Sequence, residues 1–210
     1  MNCTCLTGFS PLGCYLLGDF MAAIQQDFVK AGQSYMFACD AYDYGKACNQ
    51  WATYKFFGRG TKKDQNKAVE LFRKSCKLGY GDGCYNLGQV LTGLDPEANK
   101  VIECDVKEGL RAFEKGCEYG TPDSCFQAST MHMTGTDVTP ENPVKAFEYA
   151  KIACEEYAHF AACNNLYLMY QKGLGTKKNE SEANKIKGRI DDYLDMVKKG
   201  KSVVFGRTSE

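Results

Sequence analysis

The chain has 210 residues, with 26 basic and 26 acidic side chains and 44% hydrophobic residues. Neither sign of charge gathers into a block that would follow a phosphate backbone or an anionic membrane, and no stretch approaches the roughly 18 uninterrupted apolar residues of a membrane span; nucleic-acid binding and membrane insertion are excluded first. Twelve residues are cysteine, a density that a reducing cytosol seldom accumulates without a metal or a catalytic use.

The segment up to Lys30 has no basic residue ahead of its apolar part, and Asp19 interrupts that part, so it does not read as a secretory signal. Within it, "CYLLGDFMAA" at Cys14 opens the first of five related segments. The others are "CNQWATYKFFGRG" at Cys48, "CYNLGQVLTG" at Cys84, "CFQASTMHMTG" at Cys125 and "CNNLYLMYQKGLG" at Cys163. These cysteines recur after 34, 36, 41 and 38 residues, the range of a stacked helix-pair array. The third position after cysteine is Leu17, Trp51, Leu87, Ala128 or Leu166. The fourth is small in four segments (Gly18, Ala52, Gly88, Ser129), and the sixth is Phe20, Tyr54, Val90, Met131 or Met169. Offsets 0, 3 and 6 to 7 share one face of a helix.

Between these segments runs a second pattern: "KAGQSYMFAC", "KAVELFRKSC", "EGLRAFEKGC" and "KAFEYAKIAC". Ala31, Ala68 and Ala146 share one position, with Gly109 as the exception, and Tyr35, Phe72 and Phe113 follow one turn later. Each unit therefore reads as helix, turn, helix. The turn inside a unit also recurs, as "GRGTKKDQNKA" at Gly58 and "GLGTKKNESEA" at Gly173. It lacks the spacing of a phosphate-binding loop and no strand precedes it, so the glycines read as helix terminators and Asp64 and Asn179 as the starts of the next helices.

The run Cys-x-x-Leu-Gly-x-x-Tyr-x-x-Gly-x-Gly, followed by Lys-Ala-x-x-x-Phe/Tyr, resembles the Sel1-like repeat, a relative of the tetratricopeptide repeat, in five units over nearly the whole chain. Cysteine pairs at this spacing make it similar to the disulfide-rich branch of that family. "SCFQASTMHMTG", "KAFEYAKIACEEYAHFAACNNLYLMYQKGLG" and the terminal "VVFG" resemble the family's respiratory complex IV assembly factors of the mitochondrial intermembrane space. The implied fold is an all-α, right-handed α/α superhelix, with one repeat array over 1–199 and a tail over 200–210. The implied function is an assembly factor that binds protein clients of complex IV, copper metallochaperones among them, with haem as a cofactor. Two departures stand out: the chain starts at "MNCTC" where the family has a further acidic helix, and the third unit carries the insert "DPEANKVIECDVKEG".

The branch implies five local disulfides: Cys5 with Cys14, Cys39 with Cys48, Cys76 with Cys84, Cys117 with Cys125, and Cys154 with Cys163. Gaps of seven or eight residues and only two histidines argue against zinc, whose ligands stand closer together. Reversible redox pairs are the competing reading, and with them a thiol-disulfide oxidoreductase. A secreted repeat protein is the third alternative. Cys3 and Cys104 are left over as inert or reactive thiols. For haem, His159 precedes a repeat cysteine by four residues where the family also has a His, and Met131 matches a family Met. The resemblance thus implies His159 with Met131 or Met133, and His132 as the alternative. Each histidine also has a plain structural reading: His132 stands where Tyr170 stands one unit later, and His159 lies in a turn.

Overall fold

The structure, a computed structural model, describes residues 10–94, 101–200 and 205. The chain forms two compact units, Met1–Gly120 and Thr121–Glu210. The first contains α1 (Pro11–Ala23), α2 (Phe28–Tyr42), α3 (Gly45–Phe57), α4 (Gln65–Lys77), α5 (Gly81–Leu91) and α6 (Val106–Glu118). The second contains α7 (Pro122–Thr134), α8 (Pro143–Glu155), α9 (Phe160–Lys172) and α10 (Glu180–Lys198). Helices pack in sequential pairs, α1 with α2, α3 with α4, α5 with α6, α7 with α8 and α9 with α10. The expected helix–turn–helix units are these pairs.

The two helices of a pair start differently. Every second helix has an Asp or Asn cap: Asp27, Asp64, Asp105, Asn142 and Asn179 each accept the backbone N–H three residues on. Such caps satisfy one of the orphan donors of a helix end and contribute about 1 kcal/mol each. The first helices α3, α5 and α7 start from Tyr44, Tyr80 and Thr121 with no side-chain cap. Their starts are fixed by what precedes them, and in α3 and α5 that is a disulfide from the helix before.

Within a pair, the small residue four after cysteine receives an aromatic ring from the second helix. A methyl group on Gly18 would stand 2.5 Å from the Tyr35 ring, and one on Gly88 would stand 2.6 Å from the Phe113 ring. Tyr35 and Phe113 are buried. Tyr35 also donates a 2.7 Å hydrogen bond to Asp19, and burial, followed by that carboxylate, pushes its hydroxyl pKa upward. In α7 the small residue is Ser129, whose hydroxyl instead donates to the Ala146 carbonyl at 2.8 Å. Between pairs of the first unit, Arg73 on α4 grips Glu108 on α6 through two hydrogen bonds of 2.6 and 2.9 Å. That contact holds the Glu108 carboxyl below its ordinary range.

The Gly-x-Gly turns are structural. Gly60 and Gly175 have φ of +63° and +68°. A side chain on either would run into backbone at the start of an earlier helix, Phe28–Val29 for Gly60 and Pro143–Val144 for Gly175. The turns therefore lie directly on the N-termini of α2 and α8.

The second unit ends in a ring cluster. Phe205 is only 7% exposed, although it belongs to the segment read as a tail. Its ring lies 5.2 Å from both Phe160 and Tyr193, with the Arg189 guanidinium 5.6 Å from its centroid. The register explains its place. Gly79, Gly120 and Gly200 each follow a second helix in left-handed conformation. Five residues on stand Cys84, Cys125 and Phe205.

Candidate functional site

The described cysteines sit at helix junctions. Cys39–Cys48, Cys76–Cys84 and Cys154–Cys163 are disulfides with Cα separations of 4.6, 4.5 and 4.6 Å. Cys14, Cys117 and Cys125 are also disulfide-bonded. Cys3 and Cys5 lie outside the described residues. The six sulfurs of the three disulfides belong to residues no more than 5% exposed. Thiol-disulfide exchange needs a thiolate to reach a sulfur in line, so this burial weighs against catalysis at these bonds. Cys104 is exposed, immediately before the Asp105 cap of α6.

His159 is the cap residue of α9. Its Nδ1 accepts the Ala162 N–H at 3.2 Å, which leaves the ring proton on Nε2, 3.2 Å from Asp123 Oδ1. The ring stacks on Phe126 at 4.9 Å. Tyr44 holds the same position before α3 and meets Tyr15, the residue after a repeat cysteine just as Phe126 is, at 5.8 Å. His159 thus fills a packing position of the repeat, with both nitrogens engaged. His132 is buried against Tyr149, the two rings parallel to within 2°.

The structure does not bring His159 together with Met131 or Met133. His159 lies beside the first turn of α7, whereas Met131 and Met133 lie in its last turns, about 12 and 15 Å along the axis from Asp123. Met133 lines a groove toward α9, whereas His132 faces α8. Among the described residues, no cluster of three or more His, Cys, Asp or Glu is placed to hold a metal, and no helix is long and apolar enough to cross a membrane.

Two grooves stand out instead, one in each unit. In the second unit a cavity of about 250 Å³ lies between α7 and α9, with Met133, Leu168, Met169 and Leu174 as its apolar lining. In the first unit a cavity of about 120 Å³ lies between α3 and α5, lined by Phe56, Phe57 and Val90, with Phe72 behind. They occupy the same register. Thr53 and Thr130 stand five residues after their cysteines, Phe56 and Met133 eight after, and Phe57 and Thr134 nine after. On the facing helices, Asn86 and Asn165 stand at offset two, Gln89 and Leu168 at five, and Val90 and Met169 at six. Phe57 and Leu168 are 64% and 36% exposed. Sequence reasoning missed this surface because it followed the core stripe at offsets 3 and 6; large apolar side chains at offsets 5 and 9 were the available signal.

The Sel1 repeat model matches residues 45–80, 81–102, 122–157 and 156–185. The chain belongs to the Sel1 repeat family. This Sel1 repeat protein is 31% identical over 229 residues to the cytochrome c oxidase assembly factor 7 homolog of Drosophila melanogaster, covering 93% of this chain and 85% of that one. Against cytochrome c oxidase assembly factor 7 of Homo sapiens the identity is 29% over 216 residues, covering 98% and 90%. In fold it is similar to the Sel1 repeat protein of Oxalobacter formigenes, with a TM-score of 0.72 at 18% identity over 88% of this chain and 73% of that one. It is also similar to a protective antigen of uropathogenic Escherichia coli, with a TM-score of 0.60 at 17% identity over 84% and 44%. These likenesses in structure fix the fold class as an all-α Sel1 solenoid.

Proposed function

We propose that this Sel1 repeat protein serves the assembly of cytochrome c oxidase in the mitochondrial intermembrane space, as a disulfide-stapled scaffold that holds client proteins, copper metallochaperones among them, along its inter-helix grooves. The observation that carries the reading is the recurrence of one groove at one register in both units. A partly exposed apolar groove in each unit suits the docking of apolar client side chains. The names of the relatives supply the client system. The buried disulfides fit an oxidising compartment and a structural role.

The test is complementation of cells lacking the protein with the wild type, Phe57→Asp or Leu168→Asp, reading assembled cytochrome c oxidase on native gels and location by protease protection of isolated mitochondria. Wild type should restore the complex, and each groove variant should restore less than half of it at equal protein level. Normal complex levels in cells lacking the protein would sink the reading.

A further inference from the structure

The two grooves share a register but not a chemistry, and the difference identifies a partner segment. In the first unit the rim amides and the rim hydroxyl already donate to neighbours. Asn86 donates to Asn49 at 2.8 Å, Gln89 donates to the Tyr85 hydroxyl at 2.8 Å, and Thr53 donates to the Asn49 carbonyl. Among the described residues, none that lines that groove is charged.

In the second unit the hydroxyls are likewise turned inward. Ser129 donates to the Ala146 carbonyl, Thr130 to Phe126 and Thr134 to Thr130. Two rim groups remain, the Asn165 amide and the Lys172 ammonium, and neither makes a side-chain hydrogen bond or ion pair among the described residues. An apolar lining beside one uncommitted amide and one uncommitted cation is a three-part recognition surface. The amide can take a main-chain N–H or C=O, and the ammonium attracts a carboxylate.

The spacing sets the register of the partner. Lys172 stands four residues after Leu168 on α9, which is about 6 Å along the helix axis. In an extended chain, residues i and i+2 point to the same side and lie about 6.6 Å apart.

We propose that the groove between α7 and α9 captures an extended client segment of the form apolar-x-acidic: the apolar side chain packs on the Met133, Leu168, Met169 and Leu174 lining, an Asp or Glu two residues away meets Lys172, and Asn165 holds the main chain between them. This rests on the client-binding reading above and names the chemistry of its partner. The neutral, aromatic groove of the first unit does not discriminate by charge.

The test uses the full chain and a fluorescein-labelled nine-residue glycine-serine peptide carrying leucine and, two positions on, glutamate. Binding is read by anisotropy and located by backbone amide shifts in the α7 and α9 segments. Replacing the glutamate by lysine should weaken binding about tenfold, twice the attraction of an exposed ion pair. Lys172→Glu should reverse that preference, and Leu168→Asp, with unchanged circular dichroism, should abolish binding of either peptide. Equal affinity for both peptides, no reversal in Lys172→Glu, or shifts confined to the first unit would overturn the proposal. So would a rise in mass of the protein alone that Leu168→Asp removes, which would assign the groove to a second copy. If the peptides fail while Leu168→Asp still lowers assembled cytochrome c oxidase in cells, the acidic chemistry falls and the client groove stands.

Discussion

Substituting Gly60 by alanine separates two costs that usually arrive together. Gly60 has φ +63°, and a side chain there would meet the Phe28 carbonyl and stand 2.7 Å from the Val29 nitrogen. Gly79 has φ +81°, with no atom within 4 Å of the place a side chain would take. Alanine in left-handed conformation costs about 1–2 kcal/mol, and both variants bear that cost. Only Gly60→Ala adds overpacking against fixed backbone, about 1–3 kcal/mol more. The expected losses are therefore about 1 kcal/mol for Gly79→Ala and about 3 kcal/mol for Gly60→Ala. For a chain of this size that is a fall in Tm of roughly 3 °C against roughly 9 °C. Thermal unfolding of the oxidised protein by circular dichroism reads both. Losses equal to within about 0.5 kcal/mol would mean that the Gly58–Gly60 turn does not lie on the start of α2.

Arg73 holds the Glu108 pKa below its usual value, so the pair stabilises the fold above the ordinary carboxylate range and that stability is lost as pH falls through the lowered value. Because both side chains are partly exposed, Glu108→Gln should cost about 1 kcal/mol at pH 7, and the gap in urea midpoint should close as pH falls through the lowered Glu108 value; a gap that does not change with pH refutes the ion pair. Reduction of the disulfides, each closing a loop of about nine residues and contributing about 2.5 kcal/mol, should lower Tm by roughly 15 °C or more while helical circular dichroism persists at low temperature. An unmoved Tm after verified reduction would show that the helix packing suffices alone. Phe205→Ala should destabilise the second unit by about 3 kcal/mol, read as faster amide exchange along α10, and unchanged exchange there would remove Phe205 from the core.

The helix pairs were legible because apolar periodicity and Asp or Asn caps are local signals: Asp64 and Asn179 cap where they were expected to. Periodicity reports a face, however, and not whether a neighbour covers it. Phe20 shares offset six with Tyr54 and Val90, which are buried, yet it is 47% exposed, alongside exposed Leu12, Leu16 and Ile24. The place of His159 was not legible because it depends on Asp123 and Phe126, more than thirty residues away and brought close only by stacking of successive first helices. The grooves escaped for a related reason: each is shared between two successive first helices, so Phe57 at offset nine and Leu168 at offset five show as apolar in the sequence but not as two walls of one groove.

Phe205, at the register position that Cys84 and Cys125 hold elsewhere, makes the final junction different in kind. A covalent staple answers to the thiol potential of its surroundings and is indifferent to modest warming, whereas a ring buried against Phe160 and Tyr193 ignores reductant and answers to temperature and solvent. At the Phe205 end, the ring contact should therefore loosen on heating while the stapled junctions stay shut. A reductant pulse should loosen the interior junctions first and leave that end in place. Gentle heating should do the reverse.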